Sequence, residues 1–96
     1  MDKEQLLFVQ LMEECSEVQK ICSKIIRFGA SDFHPKNHNV TNARLLKEEL
    51  NDMFAILELL RDNYGLDIDR DDEFIANKKL KIDRYYEYSK NLGKVL

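Results

Sequence analysis

The sequence predicts an all-α fold: a helical hairpin plus a third helix, completing a four-helix-bundle-type core by homo-oligomerisation. Three observations predict it. Apolar residues recur at helical spacing, about 100° per residue, over three long stretches. Only one Pro and three Gly interrupt the 96 residues, 44% of which are hydrophobic. The second stretch is apolar around well over half its circumference, more than two other helices of one short chain can cover. A homodimer or homotetramer is therefore expected, with paired hairpins forming the bundle.

The first helix is expected from Asp2 or Lys3 to Phe28, with Gly29 as its C-terminal cap. Leu7, Leu11, Cys15, Val18, Cys22, Ile25 and Ile26 form its main stripe. Residues 30–41 hold the only Pro and both His among Asn, Ser and Asp, which reads as a loop. His34 and His38 have a spacing compatible with metal ligation, but nothing else in the segment supports that role. Thr41 or Asn42 caps the second helix, which runs to about Tyr64 before Gly65. Asp69 is expected to cap the third helix, with Asp71, Asp72 and Glu73 in a first turn whose dipole favours anions. That helix extends to about Lys90 or Asn91 and packs through Phe74, Ile75, Ile82, Tyr85 and Tyr86. Asn77, Lys81, Arg84 and Tyr88 form a separate polar stripe along it.

One domain spanning residues 1–96 is the expectation, burying about two-thirds of the unfolded chain's surface. No apolar run approaches the roughly 18 residues of a membrane span. The opening Met-Asp-Lys-Glu lacks the features of a signal peptide, so a cytoplasmic setting is expected. The net charge of −3 argues against a nucleic-acid partner. Cys15 and Cys22 lie about 10.5 Å apart along one helix axis. A disulfide needs Cα atoms within about 7 Å, so both are expected as small core residues.

The residues that carry chemistry are acids in unusual places. Glu14 lies seven residues from both Leu7 and Ile21, on the line of the apolar stripe. Glu49 lies seven residues before Ile56 and eleven before Leu60. Glu14/Glu17 and Glu49/Asp52 are like-charge i,i+3 pairs, each costing an isolated helix roughly a few tenths of a kcal/mol. Carboxylates that face a core and repel one another need a cation. Hydrated Mg²⁺ suits them: a hard ion taking oxygen ligands from a few carboxylates plus substrate phosphates.

With its flanks, the acidic pattern resembles the MazG-like family of all-alpha nucleoside triphosphate pyrophosphohydrolases. The family's E-E-x-x-E and E-x-x-D motifs read here as Glu13-Glu14-x-x-Glu17 and Glu49-x-x-Asp52. Lys24-Ile-Ile-Arg27-Phe-Gly29 before the loop, and Lys81-x-x-Arg84 with Tyr88 in the last helix, look similar too. The resemblance implies hydrolysis of a nucleoside triphosphate between the α- and β-phosphates, with Mg²⁺ as cofactor and Mn²⁺ able to substitute. It implies Glu14, Glu17, Glu49 and Asp52 as metal ligands, and Glu13 as a supporting group or a base for the attacking water. Lys81 and Arg84, with Lys24 and Arg27, would neutralise the phosphates. Which of Lys78, Lys79 and Lys81 is the phosphate-binding lysine stays open. No separate helix precedes the first motif, so part of the usual nucleotide pocket is either missing or supplied by another subunit.

Two other classes compete. A di-iron carboxylate bundle needs Glu-x-x-His, and neither His follows a Glu at that spacing. A non-catalytic helical module, its acids serving only solubility, predicts no Mg²⁺-dependent pyrophosphate release.

Overall fold

The computed structural model describes all residues, 1–96, as three helices without β-strands: α1 Lys3–Phe28, α2 Asn42–Tyr64 and α3 Asp72–Asn91. Local chemistry sets most of the ends. The Asp2 carboxylate accepts from the Gln5 backbone N–H at 2.8 Å, and Gln5 Oε1 accepts from the Asp2 N–H at 2.9 Å, forming a reciprocal capping box. Thr41 Oγ1 accepts from the Arg44 N–H at 3.2 Å and caps α2. Gly65 ends α2 in the left-handed region at φ 68°, where a side chain would be strained.

The α3 cap is a correction. Asp71, not Asp69, accepts from the Phe74 N–H, at 3.0 Å, and Asp72 opens the helix. Asp69 is held instead by Arg61, 3.1 Å away. The Arg61 guanidinium is further stabilised in its charged form by hydrogen bonds to Asp62 and Asp69.

Helices α1 and α2 pack together as the hairpin. Leu7, Ile56 and Leu60 form its small buried cluster, flanked by Leu11, Tyr64 and Leu66. The connection is anchored at several points. Asn42 Nδ2 donates to the Gly29 carbonyl at 3.0 Å, its backbone N–H to Asp32 O at 2.8 Å, and the Ala43 N–H to Ala30 O at 2.9 Å. A single antiparallel bridge joins Phe33 and Thr41.

Helix α3 packs against neither hairpin helix. Its expected packing face is largely exposed: Phe74, Ile82, Tyr85 and Tyr86 lie open, and only Ile75 is half-buried. Cys15 and Cys22 are also exposed, correcting their expected place in the core. The apolar arc of α1 is wider than the seam that α2 covers, and the cysteines lie on the uncovered part. The accessible surface is 8049 Å², against about 5,800 Å² for a compact monomer of this mass. One chain thus buries about half, not two-thirds, of its extended surface. The radius of gyration, 17.1 Å, compares with about 12.5 Å for a compact domain of this length.

Candidate metal centre

The hairpin seam that buries Leu7 and Ile21 also carries Glu14 between them, half-buried on α1. Opposite, α2 presents Glu49 and Asp52, one turn apart and just ahead of buried Ile56. One carboxylate oxygen from each of Glu14, Glu49 and Asp52 lies within 4.8 Å of the others. Oxygens on opposite sides of an octahedral ion at ~2.1 Å are about 4.2 Å apart, so the set is close to the span one ion requires.

Charge is left uncompensated at this point. Lys20 pairs with Glu17 at 3.1 Å and Arg44 with Glu48 at 3.2 Å. No Lys or Arg pairs with Glu14, Glu49 or Asp52. Glu49 Oε2 is enclosed and has no hydrogen-bond partner. A buried polar atom without a partner is costly, more so when it carries charge. The Glu49 carboxyl is accordingly pushed up to about 7 from 4.5. A hydrogen bond to Glu14, which protonation makes possible, is the largest cause; desolvation and the charges of Glu14, Asp52 and Glu17 add to it. A hard divalent cation would replace the proton and meet the orphaned oxygen, so the donor set fits Mg²⁺.

No family model, curated protein or solved structure matches this chain.

Three of the four expected ligands come together. Glu17 stands near enough for its charge to act on Glu49, but its side chain turns to Lys20. Glu13 is exposed beside the cluster in sequence, on the next face of α1. Lys81 and Arg84 are exposed on α3, away from any packing with the hairpin. Arg27 stacks over the Phe28 ring at 5.0 Å. His34 and His38 do not form a metal site: His34 Nδ1 accepts from the Lys36 N–H at 3.1 Å, and His38 Nε2 bonds to Pro35 O at 2.8 Å. The sequence reading missed a cavity of about 380 Å³ at the closed end of the hairpin, lined by Lys24 and residues of the loop. Phe28 just before Gly29, Phe33 four residues after it, and the polar Asn42 in line with Leu45 were the available signals.

Proposed function

We propose that this chain is a Mg²⁺-dependent, MazG-like nucleoside triphosphate pyrophosphohydrolase, giving nucleoside monophosphate and pyrophosphate. The observation that carries the reading is the convergence of Glu14, Glu49 and Asp52 with an enclosed, unpaired Glu49 oxygen. An acid pushed towards neutrality in a helix seam is a liability for folding alone and an asset for holding a cation. Motif spacing and the basic third helix support the family assignment.

In this reading Glu14, Glu49 and Asp52 would hold the ion, with Glu17 as the further ligand that the motif implies. When bound, the cation would neutralise phosphate charge and acidify a water. Glu13 supports the ligands or takes the proton from the attacking water. Water adds at the α-phosphorus while its bond to the bridging oxygen breaks, so pyrophosphate leaves with that oxygen. Lys24 and Arg27 at the end of α1, and Lys81 and Arg84 on α3, balance the charge on the phosphates. Exposed apolar side chains on α3 and the surplus surface support homo-oligomerisation into the four-helix bundle. They equally suit a helical interaction module, which has the same need for a partner face.

A mixed pool of ribo- and deoxyribonucleoside triphosphates, incubated with and without Mg²⁺, tests the assignment. Monophosphate and pyrophosphate, formed together and only with the metal, are expected. Diphosphate and orthophosphate would exclude the proposed bond; no release across the pool would favour the interaction module.

A further inference from the structure

The acids do not end their stripes. In steps of three and four residues, the line of Glu14 and Glu17 continues through Ile21 and Lys24 to Phe28. From Asp52 and Glu49, the line on α2 runs back through Leu45 to Asn42. Both lines reach the closed end of the hairpin, where Lys24, Phe28 and Asn42 line the 380 Å³ cavity with Asp32, Phe33 and His34. A site of a few hundred Å³, with aromatic walls and a few converging polar groups, has the make-up of a small-molecule pocket.

We infer, on the basis of the hydrolase reading above, that this cavity receives the nucleobase of the triphosphate, with Phe28 and Phe33 as stacking surfaces and Asp32 reading the base edge. Reach agrees with this. The glycosidic nitrogen and the α-phosphorus are about six bonds of ~1.5 Å apart, a span of roughly 6–8 Å. Leu45, also in the cavity wall, lies four residues before Glu49, about 6 Å along the helix axis.

The walls also suit a base. Phe33 rests against the His38 ring, centroids 4.8 Å apart, yet remains 39% exposed. Phe28 is 59% exposed. A flat base covering these rings would gain stacking energy and remove apolar surface from water. The Asp32 carboxylate has no ion-pair partner, while its backbone is held by Gly29 O at 3.3 Å and the Asn42 N–H at 2.8 Å. Asn42 is buried, with its amide oriented by the Gly29 carbonyl. With Nδ1 of His34 accepting from Lys36, the neutral ring carries its proton on Nε2. The cavity thus offers acceptors on Asp32 and a donor on His34. Guanine presents two adjacent N–H donors that a carboxylate can accept together; uracil presents one, between two carbonyls. Guanine nucleotides are therefore the favoured substrates.

Steady-state hydrolysis of the four nucleoside triphosphates by the full-length chain and its Phe33→Ala, Phe28→Ala and Asp32→Asn variants tests the inference. Loss of a stacking ring should lower kcat/KM for GTP about tenfold or more, with the Mg²⁺-induced rise in Tm unchanged. Asp32→Asn should reduce turnover of GTP more than of UTP. Phe28→Ala keeps the test decisive if Phe33→Ala disturbs the loop. Folded variants with wild-type kcat/KM on all four substrates would overturn the pocket and leave the hydrolase intact. Should the wild type hydrolyse nothing, the hydrolase reading fails. The cavity is then judged by NMR titration with guanosine alone: shifts at Phe33, His34 and Asn42 uphold a base site, and unmoved signals remove it.

Discussion

Glu49→Gln should abolish hydrolysis while leaving the metal-free protein as stable as the wild type or more so. Glutamine keeps the shape, removes one of three crowded negative charges and can donate to Glu14 without a proton from solvent. Glu49 titrates near 7 in the folded chain and near 4.5 when unperturbed. Between those values the folded state holds more protons than the unfolded state, so metal-free stability falls as pH rises. The favourable contribution is complete below pH 4.5 and gone above about 7. Wild type and variant should therefore differ most at pH 8 and converge towards pH 4. If the cluster holds Mg²⁺, the ion at a hundredfold excess over its Kd should stabilise the wild type by about 2.7 kcal/mol. For a chain of this length that is a rise in Tm of about 10–15 °C; the variant should show much less. Melting curves at pH 4, 6 and 8, with and without Mg²⁺, provide the assay. A variant markedly less stable without metal, or one keeping the full Mg²⁺ shift, would refute the reasoning and make Glu49 structural.

Leu60 is the most completely buried side chain, so Leu60→Ala should cost about 2–5 kcal/mol in chemical denaturation. Asn42→Ala leaves the Gly29 carbonyl without its side-chain donor and should cost about 1–3 kcal/mol, with faster amide exchange in the loop. Lys81→Ala and Arg84→Ala should lower kcat/KM for triphosphates yet leave the Mg²⁺ shift in Tm intact, because neither belongs to the acidic cluster. Light scattering at micromolar concentration should give a dimer or larger; a well-folded monomer would contradict the reading of the exposed apolar faces.

The parts of the fold that were legible are those fixed within a few residues of sequence. Asp2, Thr41 and Gly65 act on their own helix ends, so the bounds of α1 and α2 follow from the chain itself. The start of α3 was misplaced by a contact eight residues back: Arg61 holds Asp69, and the cap falls to Asp71. The cysteines failed for a different reason. Periodicity defines an apolar arc but not how much of it one neighbour covers, and a single hairpin leaves Cys15 and Cys22 in water. The sequence marks residues 30–41 only as a loop, yet Asn42 secures it through groups thirteen and ten residues away, a long-range pairing that local composition does not encode.

The site was legible in the same uneven way. Helical spacing brings Glu14 to the seam and sets Glu49 and Asp52 one turn apart, so antiparallel packing is enough to gather them. Spacing also offers Glu17 to Lys20, and its side chain turns to that cation at 3.1 Å. The cations on α3 are a separate matter, because nothing within the chain docks that helix on the hairpin. Under the proposed function, a triphosphate would bring several negative charges to three acids already short of compensation, so the hairpin alone would suit the metal better than the substrate. Lys81 and Arg84 can complete the charge balance only if α3 reaches an acidic cluster, its own or that of a second copy. The exposed rings of Phe74, Tyr85 and Tyr86 on the same helix give association a hydrophobic driving force. On this reasoning, burial of α3 and completion of the phosphate site are one event.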